Sequence, residues 1–220
     1  MITVPVYSTI GIPLIPGSAR PVAAATTYAT VMFVELRGYD ALIERLPPAQ
    51  AMALLGEYFA MLTDAVLECG GQIVHLAGAD MMAGFGVGDS RHTQIHEALT
   101  AARTIRRRFA ALGEAWRRRH SIDTAVGIGI HRGEVAVGAF GPPEHSALIL
   151  VGDAANVAAQ LCRRARAGEM LLTAPVYLPH EFAAPFLHFP RLQLRGRSAP
   201  LDVWCAPLAA RLHMRHGAHH

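Results

Sequence analysis

The chain has 220 residues, of which 52% are hydrophobic and 17% are charged, and its formal net charge is +3 at pH 7. This length suits one domain with a continuous core, and the composition is that of a globular rather than a disordered protein. No apolar run reaches the roughly 18 residues that a membrane helix needs, so we expect no membrane segment within this chain. The first residues lack a secretory signal pattern, and three widely spaced cysteines show no metal-type spacing, so we expect a cytoplasmic protein with reduced thiols.

Most of the positive charge comes from two arginine triplets, Arg106–Arg108 and Arg117–Arg119, on one predicted helix. Such runs are more typical of a solvated helix face than of a nucleic-acid surface. No aromatic residues are interleaved with them to stack on bases. We therefore expect no nucleic-acid partner, and DNA binding through this helix is the least favoured of the functions considered.

The first third of the chain predicts an extended lead-in, a buried strand and two helices. Four prolines in residues 1–28 exclude a helix there. Residues 29–36 are typical of a buried strand, in which Glu35 is costly unless it is paired or binds an ion. A short helix follows Gly38, and a longer one begins at Pro47-Pro48 and ends at Gly70-Gly71.

Residues 71–86 form two short apolar runs around a turn of small residues, which predicts a tight hairpin. Its tip, residues 78–80, carries one carboxylate, Asp80, beside Ala79. Hairpin tips of this kind often carry chemistry. Because neighbouring residues on a hairpin face opposite sides, a turn-stabilising role is favoured for Asp80.

The rest of the chain alternates helices and strands, which predicts an α/β or α+β fold with one sheet. A helix ends near residue 119, and the following strand, residues 122–131, has Gly127 and Gly129 on a face that something can approach closely. The remaining predicted elements are a strand over 134–140 paired with 122–131, a projecting loop over 142–146, a strand over 147–151, a helix from 152, a strand over 169–173, a helix over 175–180, and strands over 186–194 and 199–205.

Four stretches in this order resemble the catalytic domain of class III nucleotide cyclases, the adenylyl and guanylyl cyclase homology domain. They are FVELRGY (33–39), the hairpin (71–86), VGIGIHRGEV (126–135) and GDAANVAA (152–159). The resemblance implies an α+β fold, with a ferredoxin-like, palm-type, antiparallel-rich sheet and helices packed on it. It covers residues 29–206, which leaves residues 1–28 as the lead-in and 207–220 as a His-rich tail that we expect to be disordered.

The resemblance implies two-metal phosphoryl transfer, in which a nucleoside triphosphate is cyclised and pyrophosphate leaves. Two divalent ions, Mg²⁺ or Mn²⁺, would be held by carboxylates at the end of the first strand and at the hairpin tip. Here these positions are Glu35, which keeps the charge, and Ala79, which loses the ligand. Asp80 is a possible substitute for that ligand. For Glu35, a metal ligand and a structural ion-pair partner are equally favoured interpretations.

The remaining functional positions of the family match four residues. The base-reading positions are His75 and Ile149, and neither keeps the residue that the family uses. Asn156 keeps the ribose-orienting residue. Gln160 stands where the family has an arginine that stabilises charge on the phosphates. The most ordinary interpretation of His75 is a polar residue at the edge of the sheet. The most ordinary interpretation of Asn156 is a helix residue that faces a polar cleft.

Two functions follow from this pattern. The favoured one is a cyclase homology domain with a degenerate site, acting as a catalytically weak or inactive dimeric signalling module that needs no metal. The alternative is an atypical adenylate cyclase that makes cyclic AMP, with Glu35 and Asp80 for the metal and His75 and Asn156 for the nucleotide. The family implies a head-to-tail homodimer with sites at the interface, to which the loop 142–146 would contribute.

Overall fold

Two long strands form the centre of the fold. The computed structural model describes residues 25–87, 94–140, 147–177 and 186–207. Its elements are β1 (Ala25–Arg37), α1 (Tyr39–Arg45), α2 (Pro48–Leu67), β2 (Gln72–Ala77), β3 (Asp80–Phe85), α3 (Ile95–His120), β4 (Ala125–Phe140), β5 (Ala147–Val151), α4 (Asp153–Arg164), β6 (Met170–Thr173), β7 (Leu187–Leu192) and β8 (Leu201–Ala206). The predicted loop 142–146 and most of the predicted lead-in and tail lie outside the described residues.

The eight strands form one sheet in the order β2-β3-β1-β4-β6-β8-β7, with β5 paired to β4. Only the β4–β6 pair is parallel; the other neighbours are antiparallel. Strands and helices alternate because the hydrophobic period changes from two to about 3.6 along the chain. The α+β architecture with an antiparallel-rich sheet is therefore confirmed.

The helices cover both faces of the sheet. Helices α2 and α3 pack on one face, against alternate residues of β1 and β4 such as Met32, Val34 and Ile128. Helix α4 packs on the other face, where Ala154 and Ala158 contact the cluster that includes Val31. The same alternation places the odd-numbered residues of β1, including Glu35 and Arg37, on the α4 face.

Glycine in β4 allows α4 to lie directly on the strand. A β-carbon at Gly129 would collide with the carbonyl oxygen of Ala158 and the backbone nitrogen of Cys162. The close approach predicted from Gly127 and Gly129 is confirmed: the guanidinium of Arg37 lies against Gly127, and α4 of the same chain lies against Gly129. This contact fixes the distance of α4 from the end of β1.

Some predicted boundaries were wrong. Residues 122–131 and 134–140 were predicted as two paired strands, but β4 is one strand of 16 residues. It is continuous because β1 pairs along it from Ala25 to Arg37, through Gly133 opposite Ala29, and so supports it without a turn. Residues 25–28, predicted as lead-in, belong to β1. Of the helix predicted over 175–180, residues 174–176 form a turn, and 178–180 lie outside the described residues.

Four of the six arginines in the triplets of α3 pair with three neighbouring acids. Arg108 pairs with Glu68, Arg117 and Arg118 with Glu114, and Arg119 with Glu57. These pairs favour the solvated-face interpretation of the triplets. No helix in the described parts of the chain is long and apolar enough to span a membrane.

Candidate functional site

A small pocket lies beside the β2–β3 turn, between the end of β1 and helix α4. Its lining residues are Phe33, Glu35, His75, Asp80, Ala159, Cys162 and Arg163, and we call it the tip pocket. Its volume of about 20 Å³ is enough for roughly one water molecule. A nucleotide would therefore have to lie outside the tip pocket and contact only its rim.

The hairpin tip is held in place through the backbone of Ala79. Its carbonyl oxygen accepts hydrogen bonds from the amide of Leu36 at 3.0 Å and from the hydroxyl of Tyr58 at 3.3 Å. Ala79 itself packs against the cluster formed with α2 and α3. The next residue, Asp80, lies directly opposite Glu35 in the β1–β3 pair and lines the tip pocket.

This geometry gives the position of Asp80, while its role, as a substitute metal ligand or a turn-stabilising residue, stays a prediction. Neighbouring residues do face opposite sides, as predicted, but Asp80 is the one that shares the pocket with Glu35. The family position, Ala79, packs towards α2 and α3 instead. His75, expected at a polar edge, is 92% buried at the pocket wall, although β2 is an edge strand of the sheet.

Arginines balance the carboxylates of the tip pocket. Arg37 pairs with Glu35, Nη1 to Oε2 at 2.7 Å. The same guanidinium donates hydrogen bonds to the carbonyl oxygens of Cys162 and Ala165 at the C-terminal end of α4. Arg163, from the last turn of α4, lines the pocket beside both acids.

The pKa shifts in the pocket follow from this burial and charge. Burial, and then the negative charge of Glu35, raise the pKa of Asp80, while Arg163 and Arg37 act in the opposite direction. Burial lowers the pKa of His75, which favours its neutral imidazole. Asp80 thus lies in a partly desolvated space in which the negative charge of Glu35 disfavours its ionisation.

Neither arginine was predicted from the sequence as part of the site. Arg37 had a usable signal, because a residue two positions after Glu35 on a strand faces the same side. Arg163 had none, because it reaches the tip pocket only through the packing of α4 on Gly129.

The donor set of the tip pocket does not fit a two-ion site. Hard divalent ions prefer several oxygen ligands, and two ions need carboxylates that bridge them. The pocket offers Glu35, which is paired with Arg37, and Asp80, which lies beside Glu35. Within residues 25–87, 94–140, 147–177 and 186–207, no three His, Cys, Asp or Glu side chains are grouped to hold a metal ion.

The outer stripe of α4 contacts the β7–β8 connection. Gln160 donates from Nε2 to the carbonyl oxygen of Arg195 at 3.0 Å and accepts the Arg195 amide on Oε1 at 2.8 Å. About two helical turns towards the start of α4, Asp153 pairs with Arg197. Asn156 lies exposed between them. Both polar atoms of the Gln160 amide are therefore engaged in a structural contact.

A buried histidine lies under the start of α4. His131 is hydrogen-bonded through Nδ1 to the hydroxyl of Thr173 at 2.6 Å, and both residues are buried. Burial lowers the pKa of His131 to about 4, with smaller effects from the nearby charges of Asp153 and Arg197. We call this histidine and the Asp153, Gln160, Arg195 and Arg197 contacts above it the α4 corner.

The predicted site residues thus fall into separate groups. Glu35, Asp80 and His75 meet in the tip pocket. Ile149, 37% exposed on β5, and the α4 residues Asn156 and Gln160 are not among the residues that line it. One chain therefore does not bring all the predicted positions into one cavity.

Comparison with known proteins identifies the family. Residues 22–201 match the family model described as the adenylate and guanylate cyclase catalytic domain. The chain belongs to this family. It is 32% identical over 143 residues to an adenylate cyclase of Anabaena cylindrica and 26% identical over 186 residues to adenylate cyclase 1 of Rhizobium meliloti. These alignments cover 63% and 83% of the chain but only 28% of each relative.

Solved cyclases have the same fold as this cyclase domain. The adenylyl cyclase CyaB from P. aeruginosa superposes with a TM-score of 0.77 at 23% identity, covering 84% of this chain and 95% of CyaB. The guanylyl cyclase Cya2 superposes with a TM-score of 0.75 at 20% identity, covering 86% and 96%. The class III cyclase fold predicted from the four stretches is confirmed.

Proposed function

We propose that this chain is a nucleotide cyclase homology domain with little or no turnover, which acts as a dimeric binding or regulatory module in the cytoplasm. The observation that carries the proposal is the engagement of Gln160. The family position for a phosphate-stabilising arginine holds an uncharged side chain here, and both its polar atoms are bonded to the backbone of Arg195.

The cost of this change can be estimated from phosphoryl-transfer enzymes in general. A cationic side chain that stabilises phosphate charge in the transition state contributes about 10³-fold or more to the rate. Ala79 removes a metal ligand as well, and Glu35 is occupied by Arg37. Metal binding and phosphate stabilisation are therefore both weakened, and we expect each of these two losses to lower the rate.

A homodimer fits the separation of the two groups of site residues. In a head-to-tail pair, the tip pocket of one chain would face the Asn156 and Gln160 stripe of the other, with a nucleoside triphosphate between them. The guanylyl cyclase domain from Blastocladiella emersonii forms a non-canonical dimer, and that of Catenaria anguillulae binds GTP, which supports a dimer and a nucleotide but not the head-to-tail arrangement itself. Sedimentation equilibrium of the purified domain tests the homodimer, and a monomer at micromolar concentration contradicts it.

Product formation tests the low turnover. The purified domain is incubated with ATP or GTP and Mn²⁺, and cyclic AMP or cyclic GMP is quantified beside an active class III cyclase domain. We expect a rate at least about 10³-fold below that reference. Turnover comparable to the reference contradicts the proposal.

A second function is favoured by one specific observation, the position of Asp80 opposite Glu35 in a shared pocket. In an atypical adenylate cyclase, these two carboxylates would hold Mg²⁺ or Mn²⁺, while His75 and Asn156 would contact the nucleotide. Asp80→Ala would then abolish any cyclic AMP formed with Mn²⁺. The matched control is Asp202→Ala, which removes an exposed carboxylate on β8. An unchanged rate in Asp80→Ala rejects this second function.

A further inference from the structure

The tip pocket carries its own cations. Arg37 is fixed, because its guanidinium pairs with Glu35 and is hydrogen-bonded to the last carbonyl groups of α4. Arg163 lies on the last turn of α4 and lines the pocket together with Glu35 and Asp80. Two guanidinium groups and two carboxylate groups thus meet at the end of β1, and their formal charges cancel.

The two arginines differ in how firmly they are held. Arg37 has a 22% exposed side chain and three partners. Arg163 is an exposed residue overall, although it lines the pocket. Opposite charges around one pocket stabilise each other most where water is partly excluded, as it is beside Asp80, whose pKa the charge of Arg163 lowers. Arg163 is therefore the cation whose removal would unbalance the pocket while leaving the α4 contacts of Arg37 intact.

We propose that Arg163, together with Arg37, supplies the counter-charge that a divalent ion would supply beside Glu35 and Asp80, and so keeps divalent ions out of the tip pocket. The inference rests on the proposed function, in which this domain does not run two-ion chemistry. It gives a reason beyond the missing ligand at Ala79: the remaining acids are already neutralised by the chain itself.

The adjacent arginine provides a matched control. Arg164 also lies in the last turn of α4 and is exposed, but it does not line the tip pocket. Arg163→Ala and Arg164→Ala therefore make the same change in net charge on the same helical turn. A difference between them reports the pocket rather than the overall charge of the protein.

The experiment titrates the purified full chain with Mn²⁺ alone and measures free Mn²⁺ by electron paramagnetic resonance. We expect Arg163→Ala to bind Mn²⁺ roughly ten-fold more tightly than the wild type, and Arg164→Ala to differ from the wild type by less than about two-fold. The double variant Arg163→Ala/Asp80→Asn should lose the gain, which locates the ion. Arg163→Gln serves in the same way should the alanine variant fail to fold.

Three results would overturn the inference. They are equal shifts in Arg163→Ala and Arg164→Ala, no gain of Mn²⁺ binding in the Arg163 variants, and a gain that persists when Asp80 is replaced. The titration contains no nucleotide, so its outcome is separate from the turnover assay. A fast wild-type cyclase would refute the proposed function, whereas the comparison of Arg163 with Arg164 would still decide the role of Arg163.

Discussion

The tip pocket and the α4 corner lie on the same face of the sheet and differ in what holds them together. In the tip pocket, Glu35 and Asp80 face each other in a partly solvated space and are balanced by arginines. In the α4 corner, Gln160 is tied to a backbone peptide and His131 is buried against Thr173. The first region depends on charge and the second on burial and hydrogen bonds.

This difference shows two ways in which a fold can retain a substituted site. Like charges left behind in the tip pocket are compensated by nearby cations, so that region should respond mildly to neutralising changes. The substituted position in the α4 corner has become part of the packing, so changes there should affect folding. Stability measurements on single variants can separate these two behaviours.

The largest expected effect is the pH dependence that His131 gives the α4 corner. Its folded pKa of about 4 lies below the unfolded value of 6.5, so the unfolded chain binds the proton first. The stability from neutral His131 is present above about pH 6.5 and is lost as the pH falls towards 4, by about 3 kcal/mol. Urea unfolding at pH 7 and pH 4.5 measures this loss.

His131→Gln should reduce that acid-side loss, since the variant has no group to protonate there. His188→Gln is the control, because His188 is 46% exposed in its side chain. If His131→Gln and the wild type lose equal stability between pH 7 and pH 4.5, burial of His131 does not govern the α4 corner.

A smaller effect is expected at Gln160. Gln160→Ala removes both hydrogen bonds to Arg195 and should destabilise the fold by about 1–2 kcal/mol. Gln160→Arg should destabilise it similarly and should not restore cyclase activity, because the tip still lacks a ligand at Ala79. Asn156→Ala, on the same exposed stripe, should change stability by less than about 0.5 kcal/mol. Equal stability of Gln160→Ala and the wild type in chemical denaturation would show that the contact is not structural.

The smallest effect is expected in the tip pocket. The folded pKa of Asp80 is raised, mainly by burial and then by Glu35, so stability falls as the pH rises from the unfolded value through the folded one. Asp80→Asn removes this loss and should stabilise the protein at pH 7 by about 0.5 kcal/mol, as expected for a like-charged cross-strand pair. The gain should vanish well below pH 3.8, the ordinary pKa of an Asp carboxyl, because Asp80 is then protonated in both the folded and the unfolded state. A destabilised Asp80→Asn at pH 7 would mean that Asp80 is paired more strongly than the geometry indicates.

Much of the fold could be predicted because its determinants are local. The period of apolar residues gave α2 and α3, and the turn of small residues at 78–79 gave the β2–β3 hairpin. The glycines of β4 correctly indicated a close approach. The continuity of β4 was missed because it depends on pairing with β1, roughly one hundred residues away in sequence, and a local reading does not contain that contact.

The candidate site was predictable only in part. The residue types at positions 35, 79 and 160 could be compared with those of the family. The contacts that surround these residues could not be predicted from the sequence. Asp80 faces the tip pocket because the strand register places it opposite Glu35. Gln160 is hydrogen-bonded to Arg195 because the β7–β8 connection passes beside α4. Arg163 enters the tip pocket because α4 packs on glycine. These are tertiary facts, which a single sequence encodes but does not display.

The most direct test of the central claim is diffraction at the manganese absorption edge from crystals of the domain soaked with Mn²⁺ and a non-hydrolysable nucleoside triphosphate analogue. We expect no pair of anomalous peaks beside the carboxylates of Glu35 and Asp80. Two peaks about 3.5–4 Å apart, each within bonding distance of these carboxylates, would show a two-ion site and contradict the claim.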